Sequence, residues 1–201
     1  MKIFYSALSP FARKCMLVAE ELNLSDKIEK LASAANPVNR DQNILKHNPL
    51  AQVPTFFTDD GEVLFDSKVI CEYLNEQGGG NLFGSGPQRW KILTEHAAAD
   101  GVMAAAILVR YEKLMRPAEF QWSEWTAGQM DKISTGLQYF EDRVDTLAER
   151  VDIATLTLGA ALGYIDVRIA DYDWRSNFPG LRDWFALFSE RDSMKKTVPK
   201  L

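Results

Sequence analysis

The period of the hydrophobic positions divides this chain. Over 2–6 the residues Ile3, Phe4 and Tyr5 are β-prone and turn-formers follow them, which predicts a strand. From 10 to about 23 the apolar residues fall at Phe11, Cys15, Val18, Ala19 and Leu22. These spacings of three and four put them on one helical face, with Arg13, Lys14, Glu20 and Glu21 on the other. A second short strand fits 28–31, and a strand–helix–strand unit of roughly 30 residues implies a parallel pair with a right-handed crossover. Residues 32–52 are less regular, with a weak helix around 39–46. A third strand is predicted over 53–57 and a fourth over 63–65, joined by the hairpin signal Asp59-Asp60-Gly61. Asp66-Ser67 then opens a helix that presents Val69, Ile70, Tyr73 and Leu74 on one face. Glycines crowd 78–86 and mark a linker.

Beyond the linker the strand signals nearly vanish. Trp90, Leu93, Ala97, Gly101, Ala104 and Leu108 step by three and four along a helix of roughly 30 residues that Pro117 ends. Met130, Ile133, Leu137, Phe140, Val144 and Leu147 do the same along a second, read as one member of a helical bundle. Residues 153–170 are apolar on most faces, the mark of a buried central helix, with Asp152 as N-cap and Thr155 at the third position. A fourth helix is predicted over 179–190, and the C-terminus trails off from Lys195 to Pro199. The pattern thus gives an α/β domain over 1–80 and an all-helical domain over 87–201.

Composition narrows the partners. The chain has 201 residues, 46 % of them hydrophobic, and a net charge of −5. Acids outnumber bases on both sides of the linker and no basic cluster stands out, so neither nucleic acid nor an anionic membrane surface is expected as a partner. No apolar run approaches the ~18 residues of a membrane span, and Ser6, Ser9, Arg13 and Lys14 interrupt any signal-peptide core. The only cysteines are Cys15 and Cys71, both read as core thiols, and the only histidines are His47 and His96. None has metal-ligand spacing, so the expectation is a cytoplasmic protein in a reducing compartment, with no metal site.

Three local signals carry chemistry. Ser9-Pro10 stands where a strand hands over to a helix. It is both a standard helix start, with Ser as cap and Pro first, and a place where unpaired N–H groups favour an anion. Val53-Pro54, at a strand start behind a sharp turn, is a candidate cis peptide that would turn the Val53 N–H and C=O outward to pair with a peptide-like ligand, or else an ordinary trans proline. Asp66-Ser67 is either a second plain N-cap or a second anion site. Together they frame one small peptide with an anion site, a main-chain pairing site and a hydroxyl.

Ser9-Pro-Phe-Ala-Arg-Lys14, Asn48-Pro-Leu-Ala-Gln-Val-Pro54 and Phe65-Asp-Ser67 with Ile70, Tyr73 and Leu74 resemble the glutathione transferases, and the resemblance extends over nearly the whole chain. It implies a thioredoxin-like α/β N-terminal domain followed by an all-α helical-bundle C-terminal domain, in a cytoplasmic homodimer. Glutathione would be the co-substrate and the activity a detoxifying conjugation to an apolar small electrophile. By the same resemblance Ser9 would donate a hydrogen bond to the glutathione sulfur, and Val53 before a cis Pro54 would pair with the cysteinyl backbone. Asp66 and Ser67 would hold the γ-glutamyl end, with Phe11 and Gln52 beside the ligand. Asp100 would reach across the dimer, Arg110, Tyr111 and Trp174 would line the second-substrate pocket, and His47 stands where some members contact the glycyl carboxylate. Ser9 is read as a donor and not a nucleophile, since no His is placed to activate it. Serine where thiol–disulfide members carry Cys argues against glutaredoxin-like exchange. Asp152 and Thr155 reverse the family's usual cap order. A non-catalytic binding or regulatory module on the same fold remains the other reading, and glutathione-dependent isomerase or peroxidase chemistry would use the same groups.

Overall fold

The computed structural model describes residues 1–33 and 36–199, so part of the irregular 32–52 stretch, and the last two residues of the predicted helical domain, lie outside it. Strand β1 (Lys2–Tyr5) buries Ile3 and Phe4 at the centre of a four-stranded sheet of order β2-β1-β3-β4. It pairs in parallel with β2 (Glu29–Ala32), Ile3 opposite Lys30, and antiparallel with β3 (Thr55–Phe57), Ile3 opposite Phe56. β4 (Val63–Leu64) closes the other edge as the second arm of the hairpin. β3 starts two residues later than predicted because Pro54 has no N–H to give to the ladder.

Helix α1 (Pro10–Glu21) starts as the sequence implies, but its burial departs from the expectation. Arg13 and Lys14, assigned to a solvent side, are 3 % and 0 % exposed. The reason is that α1 is covered on both sides, by α3 (Ser67–Gln77) in its own half and by α6 (Ile153–Arg168) of the other half. Both charges therefore find internal partners: Lys14 Nζ lies 2.7 Å from Asp100 Oδ1, and Arg13 donates to Thr197 Oγ1 at 3.3 Å and to the Met194 carbonyl at 3.4 Å. The α2 turn (Gln42–Leu45) is a remnant of the weak helix predicted there. On α3 the buried face is Ser67, Ile70, Cys71 and Leu74, and Val69 is 47 % exposed, so the face is turned by one position from the predicted one. The glycine stretch after α3 is packed: a Cβ on Gly80 would lie 2.7 Å from both Leu22 and Asn75, and Asn75 Oδ1 accepts the Leu82 N–H at 2.8 Å.

Helix α4 (Gly86–Met115) is as long as predicted, but the periodic residues chosen from sequence are largely its outer face. Trp90, Ala97, Gly101, Ala104 and Leu108 are exposed, whereas Ile92, Ala99, Val102, Met103, Ala106 and Val109 pack inward against α5 (Ser123–Glu141) and α6. The helix is apolar along two stripes, and periodicity alone does not choose between them. By length and composition α4 would also pass as a membrane span, and 56 % of its most apolar window is buried inside the fold. α5 ends at Glu141, so Val144 and Leu147 fall in a 3-10 turn and its exit, where Leu147 is still buried. α6 is the central helix: every side chain from Ile153 to Ile165 is buried. Asp152 Oδ1 accepts the N–H groups of Ala154 and Thr155 at 3.0 Å, and Thr155 Oγ1 accepts the Asp152 N–H at 3.0 Å. The chain finishes with α7 (Trp174–Asn177), α8 (Pro179–Phe188) and α9 (Asp192–Lys196). The last of these does not trail away: Arg191 and Lys196 reach back to Glu21 and Glu20 on α1 at 2.7 and 3.0 Å.

Candidate functional site

A cleft of about 520 Å³ opens between the two halves. Its floor comes from the β1–α1 turn, with Ser6, Leu8, Ser9 and Phe11 facing it. Ser9 caps α1 from an extended conformation (φ −88°, ψ 116°), and its Oγ accepts the Ala12 N–H at 3.3 Å, a long bond that leaves the hydroxyl proton uncommitted. The second rim is the chain before β3, where Gln52 and Val53 line the cleft. The Val53–Pro54 peptide is cis, and because the β1–β3 ladder starts at Thr55, the Val53 N–H and C=O are left out of it. Two buried residues hold this rim in place. Asn48 Nδ2 donates to Thr55 Oγ1 at 2.9 Å, Thr55 Oγ1 donates to the Gln52 carbonyl at 2.7 Å, and Asn48 Oδ1 accepts the Leu50 N–H at 2.9 Å. The signal for Asn48 in the sequence is an Asn that opens a proline-bounded turn.

The other predicted site residues spread more widely. Asp66 and Ser67 stand at the N-terminus of α3, behind a cis Phe65–Asp66 peptide that the sequence did not announce. Asp66 is exposed and caps the helix by accepting the Lys68 N–H at 2.9 Å, and Ser67 is 3 % exposed. Neither lines the cleft itself. His47 is exposed, with its ring edge-on to Phe57 at 4.9 Å, and also lies off the cleft. Asp100 is 6 % exposed and bound to Lys14 of its own chain, with Lys68 Nζ 3.7 Å from its other oxygen. Beside them His96 is driven down to about 3 by burial and by the adjacent lysines, so its neutral ring accepts from Lys14 Nζ at 3.1 Å. The 3.4 Å approach of His96 Nε2 to Asp100 Oδ2 is then a contact between two acceptors and not an ion pair. Cys15 and Cys71 are buried with sulfurs 3.7 Å apart, and burial pushes the Cys15 thiol far above the reactive range.

The helical wall of the cleft carries Arg110 and Tyr111 from α4 and Tyr164 and Arg168 from α6. Burial raises both tyrosine hydroxyls, Tyr164 to about 12, so both stay neutral near pH 7. Trp174, predicted to join this wall, is elsewhere: it is 1 % exposed, its ring meets Phe185 edge-on, and its Nε1 donates to Asp166 at 2.8 Å. An aromatic residue near the end of a helical pattern was core, as such residues commonly are.

The family model described as glutathione S-transferase, N-terminal domain, matches residues 8–77. The chain is 30 % identical over 99 % of its length to YibF, an uncharacterized GST-like protein of Escherichia coli, and spans 98 % of it. A glutathione transferase family member from Pseudomonas fluorescens Pf-5, solved with bound glutathione, is 38 % identical and superposes with a TM-score of 0.96 over 100 % of this chain and 99 % of that one. A second structure of a Pf-5 family member, with S-(propanoic acid)-glutathione, is also 38 % identical and gives a TM-score of 0.91 with 99 % of each chain covered.

Proposed function

The chain belongs to the glutathione S-transferase family, and from that premise we propose that it binds glutathione in the interdomain cleft and joins its sulfur to a small electrophile. The observation that carries this reading is the placement of the Ser9 hydroxyl, at the open N-terminus of α1, in the same cleft as the unpaired Val53 edge. The cysteinyl backbone of glutathione pairs with Val53 beside cis Pro54, flanked by Gln52 and Phe11. The γ-glutamyl end extends to Asp66 and Ser67 at the N-terminus of α3. Glutathione bound in the Pf-5 relative supports the assignment.

A free cysteine thiol has a pKa of ~8.5 and is mostly protonated at pH 7. A hydrogen bond from Ser9 Oγ and the partial positive charge of the α1 start both favour the thiolate, and a tenfold change in the thiolate–thiol ratio corresponds to ~1.4 kcal/mol. The thiol proton passes to water. The sulfur lone pair forms the new C–S bond, and a leaving group departs with its electron pair, or a π pair moves to the neighbouring atom and is protonated by solvent. Leu8, Phe11, Ile107 and Leu114 give the acceptor an apolar bed.

The test is bound glutathione's thiolate ultraviolet absorbance near neutral pH, with turnover measured in parallel. Ser9→Ala is expected to abolish the absorbance and cut turnover at least tenfold while glutathione still binds. Unchanged turnover across several electrophiles would remove Ser9 from the mechanism. One observation favours the second reading, a binding or regulatory module: the Ser9 Oγ already serves as the cap of α1. In that case wild type and Ser9→Ala would both show only the uncatalysed rate.

We also infer a cytoplasmic homodimer. Trp90, Ala97, Gly101, Ala104 and Leu108 on α4, with Val69 on α3, leave an exposed apolar stripe of small and large residues suited to a second copy. Ala97→Glu is expected to give monomers in sedimentation, and a wild-type monomer at micromolar concentration would overturn this part.

A further inference from the structure

The cleft's charge does not match the chain's. The net charge is −5, yet the charged residues lining the cleft are Arg40, Arg110 and Arg168, with no Asp or Glu among them. Two of these arginines also differ from the rest of their kind. Every other arginine donates to an oxygen of this chain, Arg40 to the Pro49 carbonyl among them. Among the described residues Arg110 and Arg168 have neither a hydrogen-bond acceptor nor an ion-pair partner, and the Nε of each is shut away from solvent and unsatisfied. A buried donor left unpaired destabilises the fold. Two such donors on one wall of one cavity are better accounted for as a place kept for an acceptor than as packing.

The shape of that acceptor follows from the guanidinium. Its planar N–H groups form a fork that a carboxylate meets with both oxygens, an arrangement stronger than two neutral hydrogen bonds. Tyr111 and Tyr164, neutral and on the same wall, add hydroxyl donors. The wall belongs to α4 and α6 and faces Ser9 across the cleft, whereas the main-chain edge suited to the peptide is on the other half. The charge therefore falls on the side where the second substrate lies.

Resting on the glutathione transferase reading above, we propose that the acceptor is a small electrophilic acid whose carboxylate is gripped by Arg110 and Arg168, while its reactive carbon is turned toward the sulfur at Ser9. The apolar bed then holds the body of the molecule and the arginines select its charge. A neutral electrophile of the same shape would leave both guanidinium groups unpaired and be turned over less well.

The test compares matched glutathione conjugates by calorimetry on the purified chain: S-carboxymethyl against S-carbamoylmethyl glutathione, and S-(4-carboxybenzyl) against S-(4-carbamoylbenzyl) glutathione. Each pair differs only in the charge of the terminal group. At least one carboxylate is expected to bind about tenfold tighter than its amide, with the preference weakening as salt rises. Arg110→Gln and Arg168→Gln are each expected to remove most of that difference. Equal affinity within both pairs, with glutathione itself still binding, would overturn the acid-selecting wall and leave the transferase reading standing. Loss of affinity for unmodified glutathione in either variant, equal to its loss for the carboxylated conjugate, would also overturn it, because the arginine would then be holding one of glutathione's own carboxylates. Absence of binding by glutathione and all four conjugates would overturn both readings.

Discussion

Helices α1 and α6 begin with the same chemistry and are put to different use. Each has an oxygen side chain as cap, and each is tied to a buried charge on α4. The α6 start is closed: Asp152 accepts two N–H groups at 3.0 Å, Thr155 returns a third bond, and Arg150 joins Asp152 to Glu95 at 2.7 Å on both sides. The α1 start is half open. Ser9 makes one bond of 3.3 Å at the edge of a cleft, and its support lies deeper, where Lys14 meets Asp100 and His96. A helix start sealed on all sides is structure. One that keeps a hydroxyl proton uncommitted at the edge of a cavity is a place for a ligand.

Removing a buried support beneath either helix start is expected to have the largest effect. Lys14→Ala leaves Asp100 charged and without its close partner, and a loss of about 3–5 kcal/mol in chemical denaturation is expected. Asp152→Ala removes the acceptor of the Ala154 and Thr155 N–H groups and is expected to cost about 2 kcal/mol, which lowers Tm by about 4–8 °C in a chain of this size. The acid limb of the stability curve gives a third test. The folded pKa of His96 is about 3 against 6.5 for the free side chain, so between these values the unfolded chain takes up a proton that the folded chain refuses. Stability is therefore full above pH 6.5 and falls as pH drops, with a slope approaching 1.4 kcal/mol per pH unit. His96→Gln should flatten the part of that fall lying above the carboxylate range. The smallest stability change is expected for Ser9→Ala, less than about 1 kcal/mol for a single long cap bond, in the variant where turnover drops most. If Ser9→Ala instead unfolded the protein as readily as Asp152→Ala, the α1 start would be structure of the same kind as the α6 start.

Much of this arrangement was legible in the residues because it is local. Ser9-Pro10 and Asp152 with Thr155 are helix starts by their own side chains, and the run after Asp152, apolar on most faces, marks a buried helix. What stayed hidden depends on neighbours far away in the chain. Arg13 and Lys14 look like a solvent face until α6 covers α1 from the other half. The two apolar stripes of α4 are equivalent until α5 and α6 choose one. Asn48 and Thr55 hold the cleft rim only because a turn brings them together, and Trp174 left the predicted pocket because Asp166 and Phe185 gave its ring a better home. The unpaired state of Arg110 and Arg168 has no sequence signature, since it consists of what does not stand beside them.

Helix α4 carries three tasks on one shaft. Near its start Trp90 looks outward, at Glu95 and Asp100 it supplies the charges beneath α6 and α1, and toward its end Arg110 and Tyr111 face the cleft. A residue added to an α-helix turns everything beyond it by about 100°. One insertion between Asp100 and Arg110 would therefore swing Arg110 and Tyr111 away from the cleft while leaving the earlier charges, and Arg168 on α6, in place. The spacing inside α4 is geared, and a lineage that alters its acceptor is expected to do so by substitution along α4 and not by changing its length.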